Sequence, residues 1–177
     1  SSAFASEMSI PEVLAAQAVE VQARYQYRHP EQTLEFFAIK PGMTVVEALP
    51  GGGWYSKILL PVLGSEGTLV GVDYPQALWP NFGWMKPEAI EAKKTWVATW
   101  TTEAETWRDE HSANVAAFQF AEMPAQLNGT ADAVLFIRAL HNLARFEAKG
   151  GFLSAALKDA MTVLKPGGMV GIVQHQA

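Results

Sequence analysis

The sequence predicts an α/β fold, a doubly wound and mostly parallel sheet with helices on both faces. Three observations predict it. Short apolar, β-branched runs recur along the chain, of the kind buried on both faces of a parallel sheet. Helical patterns separate these runs, and repeated strand–helix–strand units imply right-handed crossovers. Glycines punctuate the junctions, above all Gly51-Gly52-Gly53 after the first run. The 177 residues suit a single domain, and 49% hydrophobic with 18% charged residues excludes disorder, collagen-like sequence and coiled coil.

The first helix is signalled by Ser9 and Glu12 at capping-box spacing, with Pro11 in its first turn. Leu14, Ala18, Val21 and Tyr25 then repeat at helical spacing, which carries the helix on through Tyr25. A second start at His29-Pro30-Glu31 runs through Leu34, Phe36 and Phe37 to a stop at Lys40-Pro41-Gly42. These helices look like a cap before the main fold, with the boundary drawn between a cap at 1–29 and a sheet domain at 30–177. MTVVEAL is the first strand, WYSKILLPVL the helix after the glycine cluster, and TLVGVD the second strand. Later strands are expected at 115–120, 131–137 and 168–174. The helix FLSAALKDAMTVL lies between the last two and ends at Lys165-Pro166-Gly167-Gly168.

The stretch 74–114 exceeds a minimal crossover and holds five of the six tryptophans. Trp96, Trp100 and Trp107 fall on one face of a continuous helix, but Thr102 and Glu105 have capping-box spacing, so two shorter helices fit equally. These aromatics read either as a core face over the sheet or as a wall over an active site. Trp79 and Trp84 are the better candidates for a wall.

Charge and composition narrow the function. Thirteen Lys+Arg against 18 Asp+Glu give a net charge of -5 with no basic run, which argues against a nucleic-acid partner. The absence of cysteine excludes disulfides, thiolate metal sites and cysteine nucleophiles. No apolar stretch reaches the length of a membrane span, about 18 residues or more. The opening SSAFAS fits either an expression scar or the remnant of signal-peptide cleavage, so cytoplasmic and exported (periplasmic) locations both stay open.

The segment VVEALPGGGWYSKIL carries the chemistry. In an open α/β sheet, ligands bind outside the carboxyl ends of the strands at the topological switch point. Glycines there admit a ligand to the backbone, and the helix that follows offers free N–H groups. Asp73, at the end of the second strand and twenty residues past Gly53, can accept both hydroxyls of a ribose. A dinucleotide fingerprint would place its third glycine where Ser56 stands, and Glu47 would repel a pyrophosphate. An ammonium group would be attracted instead. A nucleoside joined to an amino-acid tail satisfies both acids, which describes S-adenosylmethionine.

The chain here resembles the class I (Rossmann-like) S-adenosylmethionine-dependent methyltransferases over roughly residues 30–177. KPGMTVVEALPGGGWYSKILLPVLGSEGTLVGVDYP looks like that family's first two motifs, and FQFAEMP the segment after its third strand. ADAVLFIRALHNL resembles the fourth strand with its trailing histidine, and VLKPGGMVGIV the approach to the fifth. PGGGWY and RALHN look most like a group of predicted bacterial methyltransferases whose substrate is not established. The resemblance implies that Glu47 and the backbone at Gly51 and Gly53 hold the methionine part, and Asp73 the ribose. Gln119 would accept from the adenine amino group, where many members have Asp, with Phe120 and Met123 bordering the ring. Arg138 and His141 would stand at the mouth, His141 as general base and Arg138 on an anionic substrate. Leu49 departs from the family, which usually has Gly there.

The implied activity is methyl transfer to a small acceptor. The alternatives are a non-catalytic binding module on the same scaffold and, disfavoured by Ser56 and Glu47, an NAD(P)-dependent oxidoreductase. The four histidines lack metal-ligand spacing, so no metal site is expected. His29 reads as structural beside Pro30, and His111 as solvated. The family's fold continues past the fifth strand with a helix and a hairpin. Their absence from the sequence predicts an incomplete C-terminus, with an exposed apolar sheet edge through which copies of the chain could pair.

Overall fold

A computed structural model describes residues 7–174; the SSAFAS segment lies outside the described residues. Helices α1 (Ile10–Ala15), α2 (Val19–Gln22), α3 (Tyr25–Arg28) and α4 (Pro30–Phe36) precede β1 (Thr44–Ala48). Then follow α5 (Trp54–Leu63), β2 (Thr68–Asp73), a 3-10 segment Gln76–Asn81, α6 (Pro87–Ala92), a 3-10 turn Lys93–Thr95 and α7 (Trp96–Glu105). The chain finishes with β3 (Asn114–Gln119), β4 (Ala131–Ile137), α8 (Leu140–Arg145), α9 (Glu147–Gly150), α10 (Phe152–Val163) and β5 (Leu164–Val173). All strand pairs are parallel and the order is β3-β2-β1-β4-β5, a Rossmann-like sheet with its switch point between β1 and β4. No helix among the described residues is long and apolar enough to cross a membrane.

Strand alternation divides the core into two layers. Val45, Leu69, Ala133 and Leu135 face one side, with α1, α4, α5 and Trp100 of α7. Val46, Val70, Val72, Phe118, Val134 and Phe136 face the other, with α8, α10 and the Gln76–Asn81 segment. The same alternation puts Glu47, Gly71, Asp73 and Gln119 on the α5 face, because each shares the parity of Val45 or Leu69 in the ladder. Trp100 lies flat over Gly71, where a Cβ would come within 2.8 Å of its ring, so this tryptophan is core.

The strand and later helix expectations hold to within a residue or two, with one exception. β5 begins at Leu164 rather than 168, and Lys165 to Gly168 form a bulge between the pairs Ala131↔Leu164 and Ala133↔Met169. Asp132 closes it, accepting from Lys165 Nζ at 3.2 Å and from the Thr44 amide at 2.8 Å. The first helix is also shorter than its periodicity suggests. Ser9 caps α1 through the Glu12 amide, but the helix stops at Ala15, and Val21 reaches the core from a separate turn. Side chains take over from the lost backbone bonds: Gln22 donates to the Ala15 and Gln17 carbonyls, and Tyr25 Oη to the Leu14 carbonyl at 2.7 Å. Neither reading of the tryptophan stretch holds in full: α7 carries Trp96 and Trp100 in one helix that ends before Trp107, and it runs unbroken through Thr102 and Glu105, which therefore cap nothing.

Pro61 sits inside α5, where proline removes one backbone donor and costs about 3 kcal/mol or more in a helix interior. The Lys57 carbonyl it leaves free accepts instead from the Gln17 side chain at 3.2 Å. This bond ties the N-terminal cap to the helix that carries the glycine turn.

Candidate functional site

A cleft of about 990 Å³ opens at the carboxyl end of the sheet. Its floor is the glycine turn with Glu47 and Ala48 of β1, and Ile137, Arg138 and Val173 form one side. The opposite wall comes from the N-terminal cap, through Glu20, Arg24, Tyr27, Arg28 and His29. Thus the sheet and the cap build the cleft together.

Glu47 is 4% exposed, and the buried Ser56 hydroxyl donates to its Oε1 at 2.5 Å. Burial pushes its pKa up to about 7, and the Ser56 bond opposes that rise. Near neutrality this carboxyl is poised between its two charge states, and a cation in the cleft would draw it toward the anion. Ser56, read from sequence only as a missing glycine, is therefore the partner that holds Glu47.

The glycine turn is used unevenly. Gly51 has φ +55 and open space where a Cβ would be, and Gly51 and Gly52 line the cleft. Gly53 is buried, with φ +86, and a Cβ there would lie 2.2 Å from the Trp107 ring. Its amide donates to the Pro50 carbonyl at 2.9 Å. The expected contact of Gly53 with a ligand is thus corrected: Gly53 is a glycine so that the turn can close and Trp107 can pack on it. Leu49 also has a left-handed conformation, φ +55, the region where a glycine avoids a penalty of about 1–2 kcal/mol.

The other half of the expected site is sealed by this chain's own residues. Asp73 is 1% exposed and accepts from the Tyr74 amide at 2.8 Å and from Lys93 Nζ at 2.9 Å. Burial raises its pKa, against the opposing pull of Lys93. The Lys93 carbonyl accepts from Gln119 Nε2 at 3.1 Å, and its ammonium lies 4.1 Å from the centre of the Trp79 ring. One residue therefore occupies the carboxylate that the sequence assigns to a ribose and holds the neighbouring Gln119 by its amide nitrogen, not by the oxygen assigned to adenine. Beside it, the buried Gln76 Oε1 and Trp79 Nε1 have no hydrogen-bond partner among the described residues.

Three further expectations change. Phe120 belongs to the opposite core layer, 1% exposed and stacked on Phe136 at 5.9 Å, so strand alternation takes it away from Asp73 and Gln119. Met123, expected beside it, packs against that same layer. His141 is exposed on α8 and does not line the cleft, whereas Arg138 does. Arg138 follows β4 directly, with φ +56 and its amide bonded to the Val173 carbonyl at 2.8 Å. Of the two aromatic-wall candidates, Trp79 is buried beneath Lys93 and Trp84 is 76% exposed.

No family model matches the chain, and no curated protein matches it. Among solved structures it is similar to a SAM-dependent methyltransferase from Aquifex aeolicus, at 17% identity over 94% of this chain and 72% of that one, TM-score 0.49. It is also similar to an arsenic(III) S-adenosylmethionine methyltransferase from Chlamydomonas reinhardtii, at 19% identity over 93% of this chain and 48% of the other, TM-score 0.45. A third is a 16S rRNA adenine methyltransferase from Catenulisporales acidiphilia, solved with SAM, at 22% identity over 81% and 60% of the two chains, TM-score 0.41.

The residues that sequence reasoning missed lie in the cap. Arg24, Arg28 and His29 line the cleft although they sit far from the glycine turn in sequence. One signal was present: Arg24 and Arg28 stand four residues apart, at helical spacing, on a stretch otherwise read for its apolar face.

Proposed function

We propose that the protein transfers a methyl group from S-adenosylmethionine to a small acceptor bound in the cleft. One observation carries this reading: Glu47, next to last in β1, and Asp73, last in β2, lie on one face at the carboxyl ends of adjacent parallel strands, with the glycine turn beside them. Such a pair suits a ligand with a cationic amino-acid end and a ribose. The open cleft over Glu47 and Gly51 fits the amino-acid end as it stands. The ribose position fits once Lys93 gives up Asp73.

S-adenosylmethionine supplies an activated methyl group on a sulfonium, so the protein's task is chiefly alignment. Glu47 holds the ammonium, Gly51 and Gly52 admit the ligand to the backbone, and Asp73 takes the ribose hydroxyls. Arg138 orients the acceptor. His29 replaces His141 as the proton acceptor, because it is the histidine on the cleft wall among the described residues. A pyrophosphate cofactor is disfavoured by the same geometry, since Glu47 underlies the turn and the Ser56 hydroxyl is committed to it.

Calorimetric titration with S-adenosylhomocysteine tests the reading. Binding is expected in the wild type and at least tenfold weaker binding in Asp73→Ala. No heat at millimolar ligand in either protein would contradict it. A second reading, a non-catalytic binding module, is favoured by the Lys93 seal over Asp73. Retained S-adenosylhomocysteine affinity with no turnover across a panel of acceptors would select that one.

A further inference from the structure

The chain carries a net charge of -5, yet the cleft gathers Arg24, Arg28, Lys57 and Arg138 against only Glu20 and Glu47. Among the described residues none of these four cations forms an ion pair. Glu47, with its pKa near 7, supplies only part of a charge at neutral pH. Arg24 and Arg138 each lie close enough to Arg28 to oppose its charge, lowering its pKa after burial itself. Arg24 is exposed and Arg28, Lys57 and Arg138 are half-buried, so their mutual repulsion is only partly screened by water, and an anion among them relieves it.

Two of the positions, Arg28 and Arg138, are held by the fold. The Arg28 guanidinium lies 4.6 Å from the centre of the Trp54 ring, and its carbonyl accepts from Tyr55 Oη at 3.1 Å. Arg138 projects from a left-handed turn at the end of β4, a conformation that a non-glycine residue keeps only where surrounding structure enforces it. Guanidinium groups suit the planar, two-point contacts of carboxylates and phosphates.

We propose that the cleft binds a small oxyanion-bearing acceptor, a carboxylate or phosphate held by Arg24, Arg28 and Arg138. The assignment to the acceptor rests on the methyltransferase reading, whereas the anion site itself does not. The arginines hold and orient the molecule and make no bond to the transferred group. One cleft could present the same chemistry to the carboxylate of the cofactor's own amino-acid end, so the test separates the two sources.

The probe is inorganic phosphate, titrated by calorimetry and thermal shift at constant ionic strength, with and without saturating S-adenosylhomocysteine. Phosphate is expected to bind the wild type and the remote control Lys158→Gln alike. Binding should fall at least tenfold in Arg24→Gln/Arg138→Gln, and Arg138→Lys should recover part of it if the double variant folds poorly. Phosphate affinity unchanged by S-adenosylhomocysteine supports the acceptor assignment. Mutual exclusion of the two ligands assigns the arginines to the cofactor carboxylate and overturns it. S-adenosylhomocysteine binding with no phosphate binding overturns the anion site and leaves the methyltransferase reading intact. Phosphate binding with no S-adenosylhomocysteine binding supports the anion site and overturns that reading.

Discussion

Glu47 and Asp73 lie near the carboxyl ends of neighbouring strands on the same face of one sheet, and both are buried carboxyls with raised pKa values. Their surroundings differ in a way that decides what each can do. Above Glu47 the only partner among the described residues is a neutral hydroxyl, and the space beyond is an open cleft. Above Asp73 stands Lys93, bonded at 2.9 Å, with Trp79 under its ammonium and Gln119 on its carbonyl. One carboxyl has a neutral partner and open space beside it. The other has already been given a cation by its own chain. On the proposed reading a ligand reaches the first without displacing a side chain, while at the second it has to displace Lys93.

The largest effect is expected from removing the charge at the open end. Glu47 has a folded pKa of about 7 against an ordinary 4.5. Its contribution to stability is therefore fully present below about 4.5 and is lost as pH rises through 7, a loss of roughly 3 kcal/mol. Glu47→Gln should remove this dependence, unfolding at higher denaturant than the wild type at pH 8.5 and losing S-adenosylhomocysteine affinity by more than tenfold. Chemical denaturation at pH 5 and 8.5 checks the first part. Equal pH dependence in the two proteins would show that Glu47 is not the titrating group.

The glycine turn offers a second contrast. Gly53→Ala meets Trp107 as well as an unfavourable φ and should cost about 2–4 kcal/mol. Gly51→Ala meets open space and should cost only the φ penalty, about 1–2 kcal/mol. Urea midpoints measured side by side would separate them, and equal costs would contradict the packing role of Trp107.

At the closed end, Lys93→Met should tighten S-adenosylhomocysteine binding by about tenfold, equivalent to about 1.4 kcal/mol, because the ligand no longer competes for Asp73. The same variant should be less stable than the wild type, since it leaves a buried carboxylate without its partner. Weaker ligand binding in Lys93→Met would mean that Lys93 assists the ligand.

What could be read in advance follows from the physics of each part. The strands and α5 were legible because double-sided burial leaves unbroken apolar runs, and Glu47, the glycine turn and Asp73 were legible because they lie beside those runs. The break after Ala15 was not legible, since it depends on Gln22 and Tyr25 reaching back to carbonyls seven and eleven residues away. Nor was the seal on Asp73, because a lysine twenty residues along a crossover gives no local sign of where its ammonium will lie. The side on which Phe120 packs turned on strand parity, which a motif match does not carry. The arginine wall came from cap helices read only for their apolar positions.

Calorimetry of S-adenosylhomocysteine binding at pH 7, repeated in two buffers of different ionisation enthalpy, tests the central claim most directly. An ammonium placed beside Glu47 would lower its pKa and release protons. The wild type should therefore bind with a heat that depends on the buffer, and Glu47→Gln should lose that dependence. No binding at millimolar ligand, or binding with the same heat in both buffers, would contradict the account.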